Sequence, residues 1–193
     1  MAKKLTIEEK YPNITEREHV LSKDMWAGTK QMVESTEFVI DEHGTGKLRT
    51  VKYPPALMKM IDEPVVNALD QFVREPKMRE IRVNFTKAGE ITIYNDGPGL
   101  EVEKHKELDI YVPQMVFGML FKGSNVRADE NSIVGGTNGV GAKISNIMST
   151  QFVVETVDVE RGKYYRQTWR NRMSDVENPI IIELSTLRAK LPQ

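Results

Sequence analysis

The chain has 193 residues, of which 39% are hydrophobic and 28% charged, with a formal net charge of −1. This length and composition are typical of one globular domain, and no apolar run is long enough to span a membrane. The absence of cysteine excludes disulfides and thiolate metal sites, the three dispersed histidines argue against zinc, and the near-neutral charge argues against a dedicated nucleic-acid-binding face.

The N-terminus, MAKKLTIEEKYPN, has no apolar segment behind its basic residues, so it is not a secretory signal and we expect an intracellular protein. Residues 1–24 are polar and predict an N-terminal arm that leads into a short helix near Glu16–Leu21. The segment DEHGTGKLRT at 41–50 predicts an exposed turn between two extended pieces.

The pair Pro54-Pro55 predicts the start of a long helix, because proline is tolerated in the first helical turn. The apolar residues of this helix recur at helical spacing and form one stripe: Leu57, Ile61, Val65, Ala68 and Phe72. Glu63, Asn67 and Asp70 fall together on roughly the opposite side. We therefore expect a helix that packs on one side and offers polar groups to a pocket on the other.

The polar side of this helix has residue types suited to hydrolytic chemistry. A carboxylate at Glu63 can orient and deprotonate a water molecule, and the amide oxygen of Asn67 is a hard ligand suited to magnesium. The alternative is the solvated face of an ordinary amphipathic helix. Pro64 removes a backbone donor and leaves the Met60 carbonyl without its usual partner, which either kinks the helix harmlessly or aims the Glu63 carboxylate.

A β-hairpin is predicted next, because EIRVNFT (80–86) and EITIYN (90–95) both alternate apolar and polar residues around a turn at Ala88-Gly89. Side-chain parity places Asn95 on the same face as the isoleucines of the second strand. There its amide oxygen can accept a hydrogen bond from an adenine amino group, and Gly97 and Gly99 let the backbone approach the base. The alternative is a simple Asn-Asp-Gly turn.

The remaining elements are predicted from apolar patterning. Two helices are expected within residues 103–122, at EKHKEL and PQMVFGMLFK, and a third from about Ala142 to Ser149. The segments QFVVETV, YYRQTWR and PIIIEL predict strands. Together these elements predict an α/β (α+β two-layer) sandwich in which helices cover one face of a sheet.

The segment GGTNGVGAK at 135–143 has four glycines in nine residues and leads directly into the last predicted helix. Converging backbone N–H groups and the positive end of a helix make a plausible phosphate cradle, and Lys143 adds a formal charge. The segment is not a P-loop, because Ala142-Lys143 stands out of register with the required Lys-Ser or Lys-Thr pair. The alternative is a flexible glycine-rich loop.

Taken together and in this order, the segments resemble the GHKL ATPases, the superfamily of gyrase-type topoisomerases, heat-shock chaperone ATPases, histidine kinases and MutL. The sequence in and between these segments, including YVPQMVFGMLFKGSN and IVGGTNGVGAKISNIMST, resembles the type II (type IIA) topoisomerases of eukaryotes and large DNA viruses. The similarity extends from about Tyr11 to Trp169. It implies a GHKL (Bergerat) fold with a mixed, mostly antiparallel sheet.

The resemblance also implies a role for each matching position. Glu63 is the general base, Asn67 ligates Mg²⁺ and Asn95 contacts the adenine of ATP. The other ATP-binding positions surround the base, the ribose and the triphosphate: Gly99, Ser124, Asn125, Gly136, Thr137, Asn138, Gly139, Val140, Gly141, Ala142 and Lys143. Tyr11 reaches the nucleotide of the partner protomer.

The implied assembly is a homodimer that closes through an ATP-induced N-gate around DNA in the full-length enzyme. Residues 1–24 would be a dimer-exchanged strap and residues 25–193 the ATPase domain, with the transducer, its phosphate-binding lysine and the DNA-cleavage core outside this chain. The implied location is the nucleus of a cell, or the host cell or virion of a virus. Two alternatives remain: a GHKL dimerisation module with little hydrolysis, and a chaperone-like or MutL-like ATPase.

Overall fold

The N-terminal segment forms three short helices, α1 (Ile7–Lys10), α2 (Glu16–Ser22) and α3 (Asp24–Ala27). A computed structural model of the protein describes residues 5–122 and 139–188. Helix α2 confirms the helix predicted near its position. It begins with a capping box, because the Thr15 hydroxyl accepts from the backbone of Glu18 while the Glu18 carboxylate accepts from that of Thr15.

An antiparallel ribbon follows, formed by β1 (Val33–Ile40) and β2 (Gly46–Tyr53). The predicted exposed turn is confirmed at residues 41–45. It is shorter than predicted, because Gly46 already pairs with Ile40 in the first rung of the ladder.

Helix α4 (Pro55–Arg74) confirms the predicted long helix, and Pro54 stands at its N-cap. The predicted apolar stripe is only partly buried. Ala68 is in the core, whereas Leu57 is 41% exposed and Phe72 is 47% exposed. The side of α4 that carries Glu63 is itself half-buried, because it faces another helix rather than solvent.

The predicted hairpin is confirmed as β3 (Ile81–Phe85) paired antiparallel with β4 (Ile91–Asn95). Ile91, Ile93 and Asn95 are half-buried, and the two residues between them are exposed, as side-chain parity predicted.

The helix predicted at EKHKEL is wrong. This segment begins a small hairpin of β5 (Lys104–His105) and β6 (Ile110–Tyr111). The chain turns at Asp109, which has a left-handed backbone (φ 51°), and the N–H of Val112 donates to the Glu103 carbonyl to close the hairpin. These pairings across the turn override the helical propensity of the segment. The next predicted helix is confirmed as α5 (Val112–Gly118).

The C-terminal part contains a helix and an antiparallel sheet. Its elements in chain order are α6 (Gly141–Met148), β7 (Gln151–Asp158), β8 (Lys163–Arg170), β9 (Asp175–Val176), β10 (Ile180–Glu183) and α7 (Leu184–Arg188). The strand order is β10-β8-β7, with β9 paired to β8. The predicted helix and the three predicted strands are confirmed, whereas β9 and α7 were not predicted.

The core that positions the site lies between α4 and α6. It consists of the buried residues Val20, Ala27, Ala56, Leu120, Val140, Ile144 and Ile147. Val20 belongs to α2, so the N-terminal segment contributes to this core. Trp169 of β8 is buried beside Gly118, whose position leaves no room for a Cβ next to the indole ring. The fold class is the predicted combination of helices with antiparallel sheets.

Among the helices within residues 5–122 and 139–188, none combines the length and apolar character needed to cross a bilayer.

Candidate active site

Glu63 lies in the middle of α4, on the side that faces the start of α6. Its carboxylate is 14% exposed and forms an ion pair with Lys59, one turn earlier on the same helix. Asn67, one turn later, is half-buried. The polar face predicted from periodicity is therefore partly enclosed, which favours a pocket over a solvated surface.

The N-terminal residue of α6, Gly141, lies directly against Glu63. A Cβ built on Gly141 would overlap the Glu63 carboxylate at Oε2. This approach requires glycine, and it brings the glycine-rich segment and the acidic helix together. No side chain of a described residue caps α6, so its first backbone N–H groups remain available to an anion.

Lys143, in the first turn of α6, is only 3% exposed. Its ammonium group donates a hydrogen bond to the Lys122 carbonyl. Burial lowers the pKa of Lys143 to about 8, because the charged form loses hydration inside the protein. Among the described residues no carboxylate pairs with this ammonium group, and a buried cation of this kind is suited to an anionic ligand such as a phosphate.

The neighbours of Lys143 contribute to the core rather than to a pocket surface. Val140 is 3% and Ala142 is 6% exposed, and both pack inward. Gly139 has a left-handed backbone (φ 61°), and its carbonyl accepts from the N–H of Phe121 at 3.1 Å. These residues can therefore offer a ligand their backbone groups but not their side chains.

The end of β4 forms a tightly held corner. The amide oxygen of Asn95 accepts from the backbone N–H of Gly97 at 3.1 Å. The carboxylate of Asp96 accepts from the backbone N–H groups of Arg79 and Glu80 at 2.9 and 3.0 Å. The backbone donors of Glu80 and Arg79 hold the pKa of Asp96 below its usual value. The Asn-Asp-Gly turn is therefore present, and Asn95 Oδ1 keeps a second lone pair for a ligand.

The segment after this corner is fixed against β7. Gly99 has φ 79°, and a Cβ there would overlap the Val157 carbonyl and the Thr156 hydroxyl. The N–H of Leu100 donates to Thr156 Oγ1 at 2.9 Å, and that of Val102 donates to Asp158 Oδ2 at 2.8 Å. This packing against β7 requires glycine at position 99. The sequence predicted glycine there only for the approach of the backbone to the base.

The residues predicted at the ribose and phosphates are only partly within the described structure. Those outside the described residues are Ser124, Asn125, Gly136, Thr137 and Asn138. Tyr11, predicted to reach a partner protomer, is 68% exposed at the end of α1, with the Lys10 ammonium 5.3 Å from its ring centroid.

Oxygen donors on α4 fit a magnesium ion that also binds phosphate. Asn67 offers an amide oxygen, and Oδ2 of Asp70 is buried without a hydrogen-bond partner among the described residues. The described residues contain no group of three or more acidic or histidine side chains that could hold an ion alone. This donor set suits Mg²⁺, which keeps several waters and binds through few protein oxygens together with substrate phosphates.

Two site residues were missed by sequence reasoning. Lys59 pairs with Glu63 at i, i+4 spacing, a signal that was present in the sequence. Ser145 of α6 donates to the Met60 carbonyl at 2.7 Å, across 85 positions of sequence, so no local pattern indicates it.

Comparison with known proteins identifies the family of the chain. The family described as histidine kinase-, DNA gyrase B-, and HSP90-like ATPase matches residues 52–173. The matched segment includes α4, the β4 corner and α6, which carry the site, and the chain belongs to this ATPase family.

Among its relatives, the chain is 38% identical over 185 residues to DNA topoisomerase 2 of Candida albicans and 42% identical over 173 residues to DNA topoisomerase 2-alpha of Mus musculus. These matches cover 94% and 89% of this chain but only 12% and 11% of the relatives, so the chain spans about an eighth of their length.

Solved structures of topoisomerase II superimpose on this chain. The ATPase region of Saccharomyces cerevisiae topoisomerase II superimposes with a TM-score of 0.86 at 39% identity, covering 91% of this chain and 47% of that one. The ATPase and transducer domains of DNA topoisomerase II from Balamuthia mandrillaris superimpose with a TM-score of 0.88 at 40% identity. This match covers 94% of this chain and 48% of that one. The chain is therefore homologous to the ATPase region of eukaryotic type II topoisomerases.

Proposed function

We propose that this domain binds ATP with Mg²⁺ and hydrolyses it, and that it serves as the ATP-operated gate of a type II DNA topoisomerase. One observation carries the proposal: the Glu63 carboxylate lies against Gly141 at the uncapped start of α6. A proton acceptor and the start of a helix, where backbone N–H groups can bind an anion, thus lie side by side. Relatives named DNA topoisomerase 2 support the assignment to strand passage.

In the proposed reaction, Glu63 orients a water molecule and accepts its proton while the water oxygen attacks the γ-phosphorus. The bond between the γ-phosphorus and the bridging oxygen of ADP breaks, and ADP and phosphate are released. Asn67 would hold magnesium through its amide oxygen, and the ion would supply positive charge beside the phosphate oxygens. Lys143 and the first N–H groups of α6 hold the triphosphate, and the Asn95 oxygen accepts from the adenine amino group.

The remaining predicted ATP positions are part of the same proposal. Ser124 and Asn125 would lie at the ribose and phosphates, and the segment 136–143 would wrap the triphosphate. Tyr11 would reach the partner's nucleotide when ATP closes a homodimer, and its exposure in the single chain supports this role. The DNA segment would be captured by that dimer in the full-length enzyme.

The test uses the 193-residue chain. A non-hydrolysable ATP analogue is titrated with magnesium by calorimetry, and phosphate release is followed under saturating ATP for wild type, Glu63→Ala and the exposed-site control Glu107→Ala. We expect Glu63→Ala to bind the analogue like wild type and to lose at least ~10²-fold of its hydrolysis rate, as expected for a general base. Equal turnover in Glu63→Ala and wild type would overturn the proposal.

The second candidate is a nucleotide-binding dimerisation module that hydrolyses little, and the Lys59–Glu63 ion pair favours it. A carboxylate engaged by a lysine must leave that contact before it can hydrogen-bond and orient a water molecule. The two candidates differ in one measurement. Analogue-driven dimerisation, followed by sedimentation velocity, with no phosphate release above the Glu63→Ala background would support the module over the hydrolase.

A further inference from the structure

One backbone carbonyl of α4 lacks its usual donor within the helix. In a regular helix the Met60 carbonyl would accept from the N–H of residue 64, but Pro64 has no N–H. The hydroxyl of Ser145 supplies the missing donor, at 2.7 Å. Ser145 is 4% exposed, so solvent has little access to this bond.

The bond lies beside the proposed general base. Glu63 immediately precedes Pro64, and Gly141 and Ser145 are one turn apart on α6, so they share a face. Gly141 lies against the Glu63 carboxylate, and Ser145 holds the Met60 carbonyl one turn earlier on α4. One face of α6 therefore contacts a single turn of α4 at two points, one through a backbone carbonyl and one through the carboxylate.

We infer that Ser145 is a positioning residue for Glu63: its hydroxyl replaces the donor lost at Pro64, fixes the Met60–Pro64 turn against α6 and keeps the carboxylate at the start of that helix. The inference rests on the proposed role of Glu63 in hydrolysis. A proline in a helix frees the local backbone to bend. A hydrogen bond from the neighbouring helix removes that freedom at the turn where the carboxylate must be aimed.

A purely structural role for Ser145 predicts a different pattern of effects. If the hydroxyl only joined two helices, its loss would lower the melting temperature without separating catalysis from nucleotide binding. If it positions Glu63, its loss lowers kcat and leaves analogue affinity nearly unchanged, because the phosphate-binding groups on α6 stay in place. Restoring a backbone N–H at position 64 should make the hydroxyl dispensable.

The experiment is a double-mutant cycle on the 193-residue chain with Ser145→Ala, Pro64→Ala and the double variant. Ser149→Ala is the matched control, because Ser149, the C-cap of α6, donates to the Ser145 carbonyl, and no hydrogen bond joins it to α4 among the described residues. Phosphate release at saturating ATP, analogue affinity and melting temperature are measured for each. Ser145→Cys is a second variant for the case in which Ser145→Ala does not fold. It keeps a side chain of similar size but replaces the hydroxyl with a weaker hydrogen-bond donor.

We expect Ser145→Ala to lose about tenfold in kcat, since small misplacement of a reacting group costs up to ~10²-fold. Analogue affinity should change by less than about twofold, and Ser145→Cys should be intermediate. In the Pro64→Ala background, Ser145→Ala should change kcat by less than about twofold, so the two substitutions should be non-additive, as coupled groups are in a cycle.

Equal losses of kcat from Ser145→Ala in both backgrounds would overturn the inference, and so would a loss no larger than that of Ser149→Ala. These results are distinguishable from failure of the proposed function. If Glu63→Ala hydrolyses ATP like wild type, the proposed base is wrong. If Glu63→Ala is inactive but the cycle is additive, only the positioning role of Ser145 is wrong.

Discussion

Gly141 at the start of α6 leaves no space for a side chain beside the Glu63 carboxylate, since a Cβ there would overlap Oε2. The two residues are 78 positions apart, and their contact joins the acidic helix to the glycine-rich segment. The overlapped atom is the far end of a flexible side chain, which can rotate away. Substitution at Gly141 should therefore disturb chemistry more than folding.

We predict that Gly141→Ala lowers phosphate release by ~10²-fold, because the carboxylate must leave the position from which it acts. Unfolding free energy should change by less than about 1 kcal/mol, since helical alanine offsets part of the crowding. Urea denaturation and phosphate release measure the two effects. In a Glu63→Ala background the crowding is gone, so Gly141→Ala should stabilise the protein; a similar destabilisation in both backgrounds would contradict this account.

The helix periodicity and strand parity of the sequence were sufficient to predict how the candidate site residues of α4 and β4 are arranged. Glu63, Asn67 and Asp70 share a helical face whatever the helix packs against, and Asn95 follows the parity of Ile91 and Ile93. These are properties of local geometry. They hold in the structure because both elements form where the pattern predicts them.

Features that depend on tertiary contacts could not be predicted. Periodicity assigned Leu57 and Phe72 to a buried stripe, but burial depends on where α6 lies, and both are substantially exposed. The orphan carbonyl of Met60 was predictable from Pro64, but its donor was not, because Ser145 is remote in sequence. The helix predicted at EKHKEL fails for the same reason, since Val112 pairs back to Glu103 and makes a hairpin.

For the β4 corner, we predict that Asn95→Ala weakens ATP binding by about tenfold, as expected for the loss of one hydrogen bond of ~1 kcal/mol or slightly more. Asn95→Asp should retain most of the affinity, because its carboxylate can accept from both the Gly97 N–H and an adenine amino group. The measurement is calorimetric titration with ATP analogue and magnesium. Asn84→Ala, at an exposed position of β3, is the control. Unchanged affinity in Asn95→Ala would remove Asn95 from the adenine site.

Asp158 anchors the segment after the β4 corner by accepting from the Val102 N–H at 2.8 Å, and it also accepts from the Arg161 N–H just after β7 at 3.0 Å. Burial acts to raise the pKa of Asp158, but these donors and the Arg161 guanidinium outweigh it, so the pKa lies below its usual value. We predict that Asp158→Ala loses about 2–3 kcal/mol of unfolding free energy at neutral pH, because it leaves charge-assisted hydrogen bonds unmade. Chemical denaturation measures this loss.

The Asp158 contribution should depend on pH with a definite sign. A lowered carboxyl pKa stabilises the folded state above the unfolded-state pKa of about 4, and this stabilisation is lost as pH falls through the folded-state value. The stability difference between wild type and Asp158→Ala should therefore be constant near neutrality and shrink in acid. Glu160→Ala, at a largely exposed residue two positions along the chain, is the control and should show little difference at any pH. A difference that grows in acid would contradict the assigned sign.

Lys143 should make nucleotide affinity depend on pH above neutrality. Its pKa is lowered from 10.5 to about 8, so the folded protein binds fewer protons than the unfolded chain between these values, and the Lys143 contribution to stability rises with pH there. A bound triphosphate favours the charged ammonium, so nucleotide binding should take up a proton near and above pH 8, and affinity should fall as the pH rises further. Calorimetry at pH 8.5 in two buffers of different ionisation enthalpy measures that proton directly. Lys143→Met should abolish the proton uptake. The control Lys106→Met, at an exposed site, should retain it. Proton uptake that persists in Lys143→Met would show that another group binds the proton.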